Sequence, residues 1–271
     1  MWSEWKRLFQ ERAKRPLPPL PQTIDVPPRW RAPLARSLAR FQVGEGGEGR
    51  IANEIRRVQL ASIDDDYRDA LRLFVREEGR HARILGKMVR ALGGELCRET
   101  WTERLFVRGR RLAGVRLKLL VLLAAEVVGI GFYGQLAEAL DEGPLRDALL
   151  QITGDEEDHL RFHVDFFQRS IRGSHGRRAL FTAVWLGVAS IACGLVVIDH
   201  RQTLAVTGIG THNAARDYGE RILGVLRATL AVAPPLASTK ESAALQKKDV
   251  ENPKDMSAQV IPRRRLRRRA A

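Results

Sequence analysis

The chain has 271 residues, 44% of them hydrophobic and 6% aromatic, which allows one large domain with tails or two small ones and leans helical. Two cysteines, Cys97 and Cys193, exclude a disulfide framework and a thiolate zinc site, and they point to a reducing compartment, so we expect a cytoplasmic protein. The net charge is +14, but six of those charges are Arg263, Arg264, Arg265, Arg267, Arg268 and Arg269; 14 less 6 leaves +8 for the rest, so the excess is partly a property of the tail.

The first nineteen residues, MWSEWKRLFQERAKRPLPP, hold no apolar run of the kind a secretory signal needs. Residues 1–33 read as an extended Pro/Arg-rich arm, pinned to a surface by its Trp and Phe residues. A first helix is expected from about Leu34 to Val58. Gly44, Gly46, Gly47 and Gly49 are costly there, at about 1 kcal/mol each against alanine, unless close helix approach, a bulge or space beside a ligand offsets them. A second helix follows Ser62, with Asp64, Asp65 and Asp66 in its first turn, and stops at Gly93 and Gly94. After a connection over 95–110, a third helix runs from about Arg111 to Leu140, and Pro144 opens a fourth that ends near Ile171. No strand pattern stands out. Four long helices with one longer link in the middle predict an all-α fold, a four-helix bundle with a crossover over 34–172.

Residues 173–231 form an apolar helical extension. Its stretch 179–198 has twenty residues and no charge, long enough to span a membrane. A single span would separate the bundle from the polybasic tail, whereas a fifth helix packed on the bundle, an interfacial helix at the inner face of a membrane or a homodimer contact avoids that conflict. A sixth, weaker helix is expected over about 214–231. Residues 232–271 read as a disordered basic tail, either simply solvated or touching anionic lipid or nucleic acid through Arg263–Arg269.

The chemistry is concentrated in the bundle. The third helix carries LLVLLAAEVVGIGFY over 119–133, fifteen residues with one charge, Glu126. A carboxylate in such a setting loses several kcal/mol of hydration unless a proton or a cation compensates it. The second helix offers Glu78–x–x–His81 and the fourth Glu156–x–x–His159, each pair sharing a helix face. Glu48 and Glu78 lie 30 residues apart, as do Glu126 and Glu156, so the chain repeats a lone Glu followed by Glu–x–x–His. Glu48, Glu78, Glu126 and Glu156 with His81 and His159 make four carboxylates and two imidazoles, enough to hold two divalent ions near neutrality. The donor set suits iron or manganese better than zinc. Glu45, 33 residues before Glu78, is the alternative to Glu48 or an extra ligand. His163, four residues after His159, is a further ligand or a group behind one, and Asp155 is placed to orient His81 from across the bundle.

These motifs resemble the ferritin-like di-metal carboxylate superfamily, which includes bacterioferritin, rubrerythrin, the ribonucleotide reductase small subunit and the ubiquinone-biosynthesis hydroxylase. The resemblance runs from Glu48 to His159, with flanking helix to about Phe167. Glu77-Glu78-Gly79-Arg80-His81 has the family's leading acid and the Arg before the His; Asp155-Glu156-Glu157-Asp158-His159 has the acid but lacks the Arg. Glu126 and Tyr133 match a Glu followed seven residues later by Tyr, which makes Tyr133 a partner for a ligand carboxylate or a catalytic side chain. The whole chain is most similar to a rubrerythrin-like branch whose first helix reads roughly FQ-x-GE-x-x-EGR; for that branch the resemblance implies a fold and a metal site, not a substrate. It implies two iron ions, or manganese or a mixed pair. The implied activity is that of an oxidoreductase or oxygenase acting on dioxygen or peroxide with a substrate and redox partner of its own. The alternatives are a ferroxidase that handles iron and a non-catalytic, metal-stabilised bundle that docks through its tail.

Overall fold

The computed structural model describes residues 1–46, 49–58, 60, 62–97 and 114–231. They are helical and contain no strand among the described residues, in line with an all-α fold. In chain order the helices are α1 Trp2–Arg12, α2 Pro28–Gly46, α3 Gly49–Glu54 with a 3-10 turn at Ile55–Arg57, α4 Asp65–Ala91, α5 Val115–Ala139, α6 Pro144–Ile171, α7 His175–Asp199, α8 Arg201–Val206 and α9 Thr211–Leu230.

The helix ends follow local chemistry. Asp64 caps α4 by accepting a 2.8 Å hydrogen bond from the Tyr67 N–H, and Gly93 leaves the helix with a positive φ of 77°. Pro144 opens α6, where its missing N–H costs nothing. Pro28 opens α2 in the same way, so that helix starts six residues before the expected Leu34. Its described part runs to Gly46 and α3 begins at Gly49; residues 47 and 48, inside the helix expected from Leu34 to Val58, lie outside the described residues.

The N-terminal arm departs most from expectation, because Trp2–Arg12 is a helix rather than extended chain. Its residues Trp2, Trp5, Phe9 and Arg12, spaced by three, four and three, share one face, and that face packs on α4 and α6. The Trp5 indole N–H donates to Asp165 at 2.8 Å, and Trp2, Trp5 and Phe9 surround the Phe162 ring.

α2 packs along α4, and α5 along α6. The buried side chains separate into two apolar clusters. One joins Phe74 of α4 and Leu123 of α5 to Phe162 and Phe166 of α6; the other joins Leu38 of α2 and Leu85 of α4 to Leu136 of α5 and Ile152 of α6. α4 and α6 therefore run antiparallel, and on both of them residues 77–81 and 155–159 fall between the two cores. That polar layer is the candidate site.

α7 is the one described helix long and apolar enough to cross a membrane, by length and composition, with a mean hydropathy of 2.3 over its best window. Its inward face, with Phe181, Trp185 and Ala189, packs into the core, and the Trp185 indole N–H donates to the Ile222 carbonyl of α9 at 3.0 Å. Leu180, Ile191 and Ile198 face outward and are exposed. The polybasic tail, 232–271, lies outside the described residues.

α9 reaches α5 at Gly131, where an added Cβ would stand 2.3 Å from the buried Tyr218 ring. Tyr218 cannot swing away freely, because its hydroxyl donates to the Val128 carbonyl at 3.3 Å. Gly131→Ala gains about 1 kcal/mol of helix propensity but forces an overpacked core costing about 1–3 kcal/mol. A net loss is expected, read as a melting temperature lower by roughly 2–5 °C; an unchanged or raised melting temperature would mean that α9 does not press on α5.

Candidate metal centre

The site is assembled from the midpoints of three long helices. α4 contributes Glu77, Glu78 and His81, α5 contributes Glu126, and α6 contributes Asp155, Glu156, His159 and His163; all eight are buried. Glu78, His81, Glu156 and His159 form a group that could hold a metal ion, with one ligand atom from each within 4.8 Å of the others. Each Glu–x–x–His pair puts both side chains on one helix face, and the antiparallel helices turn the two faces toward each other.

Both imidazoles present Nδ1 to the carboxylates. His81 Nδ1 lies 3.0 Å from Glu156 and 3.9 Å from Glu78. His159 Nδ1 lies 2.7 Å from Glu78, 3.0 Å from Glu156 and 3.8 Å from Glu126. The outer nitrogens are held by a second pair of acids, with His81 Nε2 3.4 Å from Asp155 and His159 Nε2 3.0 Å from Glu77. The acid that precedes the Glu of one motif thus sits behind the His of the other. Asp155 occupies the place the sequence suggested for it. Its counterpart Glu77 was missed as a partner, although it holds the same position four residues before its own motif's His.

Glu45 is the described α2 carboxylate at this site. It accepts a 2.6 Å hydrogen bond from the Tyr133 hydroxyl, and Glu78 hydrogen-bonds to it. Glu48, the preferred first-helix ligand on spacing, lies outside the described residues. His163 is fully buried, 0% exposed, and neither of its nitrogens has a hydrogen-bond partner among the described residues. Its Nε2 stands 3.7 Å from Glu126, beyond hydrogen-bond range. Leaving a buried polar group unpaired costs about 1–3 kcal/mol.

Sequence reasoning also missed Arg12. The residue is 6% exposed, and its guanidinium reaches the outer acids, 3.6 Å from Glu77 and 3.5 Å from Asp155, and pairs with Asp158. Arg15 adds a 3.0 Å contact to Asp155. The signal was present in the spacing of Trp2, Trp5, Phe9 and Arg12, which the proline-rich sequence after Arg15 obscured.

Electrostatics sort the groups. Burial, then the charge of Glu156, pushes the Glu126 carboxyl well above the usual carboxylate range, and the same two causes raise Glu45. Burial works against ionising Glu156, but a hydrogen bond from Glu126 and the charge of His81 hold it well below that range. Burial opposes a charge on His81 too, yet Glu156 and then Asp155 hold its pKa up at about 9. His159 is likewise raised, against burial, by Glu156 and Glu77. Burial, then the charge of His159, drives His163 down to about 3. Without metal, protons on His81, His159 and Glu126 compensate the cluster.

No protein-family model matches this chain, and neither do the curated proteins or the solved structures.

Arg12→Ala leaves Glu77, Asp155 and Asp158 facing one another with less positive charge. Breaking a buried pair typically costs about 3–5 kcal/mol. Because Arg15 still faces Asp155, the expected loss is at the lower end, read by denaturant unfolding. A loss no larger than that of an exposed Arg→Ala change would show that α1 does not close the site.

The metal-free protein is expected to lose stability as pH rises above about 6.5. Glu126, His81 and His159 have raised values in the fold, so they bind protons on folding; their contribution is complete below the unfolded values and is lost as pH rises, for His81 between 6.5 and about 9. His163, and His200, which burial and then the charge of Arg40 drive down, sit at about 3, so their contribution is present above 6.5 and lost as pH falls toward 3. Thermal melts in chelator across roughly pH 4–9 test this, and a melting temperature that climbs steadily into alkali would contradict it.

Proposed function

We propose that this protein is a ferritin-like di-iron carboxylate oxidoreductase that acts on dioxygen or peroxide. In this reading α2, α4, α5 and α6 form a four-helix bundle, with the link between α4 and α5 as its crossover. The observation that carries it is the reciprocal pair of Glu–x–x–His motifs meeting in one buried cluster, each imidazole backed by the acid of the other motif.

The donor set fits two iron ions. Glu78 and Glu156 each lie near both imidazoles and would help hold the ions. His81 with Glu45 would serve one ion, and His159 with Glu126 the other. The group contains carboxylate and imidazole but no thiolate, which favours iron or manganese over zinc. When bound, the pair supplies two electrons together.

The chain's own residues do the rest. Asp155 and Glu77 accept the Nε2 protons of His81 and His159, which fixes each ring and turns the Nδ1 lone pair inward. Tyr133, its hydroxyl pKa held well above the ordinary value by burial and by Glu45, stays protonated and orients the Glu45 carboxylate. Phe9, Phe74 and Phe162 wall the histidine side with apolar rings and keep bulk water from the imidazoles.

The test is anaerobic loading with Fe(II), followed by exposure to oxygen. Two irons per chain, a Mössbauer signal that changes on oxygenation and oxygen uptake are expected. Because His81 and His159 are protonated at neutral pH, loading should release about two protons or more per chain, and affinity should rise with pH up to about 9. A chain that stays metal-free after loading, or that holds one zinc and nothing else, would end this reading.

A further inference from the structure

We propose that His163 is a metal ligand, so that the two ions of the pair occupy unequal sites; this rests on the di-metal reading above. Glu156, His159 and His163 lie at i, i+3 and i+7 on α6, a single face directed at the cluster. The His163 ring is wholly buried, and neither nitrogen has a hydrogen-bond partner among the described residues. Phe74 meets it edge-on with centroids 5.1 Å apart, and Phe162 flanks it at 5.4 Å, which fixes the ring in place.

Glu126 lies between two imidazoles. One oxygen is 3.8 Å from His159 Nδ1 and the other is 3.7 Å from His163 Nε2. Both separations are too long for hydrogen bonds. Each is close to the separation of neighbouring donor atoms on one ion, about 3–4 Å for bonds of about 2.0–2.2 Å, with Glu126 offering a different oxygen to each ring. The buried carboxylate and both rings would then share one divalent transition ion.

Among the described residues the other half of the site has no equivalent. The position four residues after His81 is Leu85, packed in the apolar cluster with Ile152. The symmetry of Glu78–x–x–His81 and Glu156–x–x–His159 therefore breaks at the next turn. The ion beside Glu126 would have two imidazoles, and the ion beside Glu45 would have one.

The experiment uses the full chain loaded anaerobically with Co(II). The wild-type protein is expected to bind two ions and to show three hyperfine-shifted, exchangeable imidazole N–H resonances. His163→Ala should weaken one ion by at least about tenfold, leave the other unchanged and alter the visible Co(II) spectrum. Added imidazole should restore the weakened ion in His163→Gly. Two imidazole resonances in the wild type, or unchanged affinities and spectrum in His163→Ala, would make His163 a core residue while the di-metal reading stands. A wild-type chain that takes up no ion would remove both. The resonance count needs no variant and so does not depend on how His163→Ala folds.

Discussion

The structure turns on charge compensation inside a helical core. Glu78, Glu126 and Glu156 are buried together with two imidazoles in a layer flanked on both sides by apolar side chains. Three carboxylates cannot all ionise there without cations, because desolvation and mutual repulsion both disfavour the charged forms. His81 and His159 are the nearest sources of positive charge, and their raised pKa values are the response of the fold to that constraint. Metal ions would replace those protons at the same atoms, so the pattern that stabilises the metal-free cluster is also the one that would receive metal.

Compensation continues outward in layers. The acids behind the histidines, Asp155 and Glu77, need cations of their own, and α1 brings one. Arg12 serves both acids from a position on the outer side of α4 and α6. The aromatic face of α1 carries it there, since Trp2, Trp5 and Phe9 bury apolar area against Phe162 and so offset the ordering of an N-terminal segment. An arm that looks peripheral in sequence thereby closes the polar layer.

The two halves of the site are alike where the charge balance demands it and different where it does not. Glu77 and Asp155 hold the same place in the two motifs, and each lies behind the opposite imidazole. One turn later the halves diverge, to Leu85 on α4 and His163 on α6. A histidine without hydrogen-bond partners among the described residues costs stability at that position, whereas leucine at the matching position packs into the apolar cluster.

The elements of the polar layer were legible in the residue order alone. A helix repeats every 3.6 residues, so Glu–x–x–His spacing places both side chains on one face whatever surrounds them, and caps such as Asp64 and Pro144 mark the helix ends locally. The midpoint position of Glu126 in an apolar helix already required a compensating charge. Pairing across helices belonged to the tertiary structure. Only the antiparallel approach of α4 and α6 put Asp155 behind His81 and Glu77 behind His159, and only the docking of α1 made Arg12 a buried cation rather than one of many surface arginines. The choice of Glu45 as the described α2 carboxylate near Tyr133 also depended on helix rotation, which spacing along the chain does not fix. Local periodicity is set by the backbone; which faces meet is set by how much apolar area and how many charges the whole chain must satisfy at once.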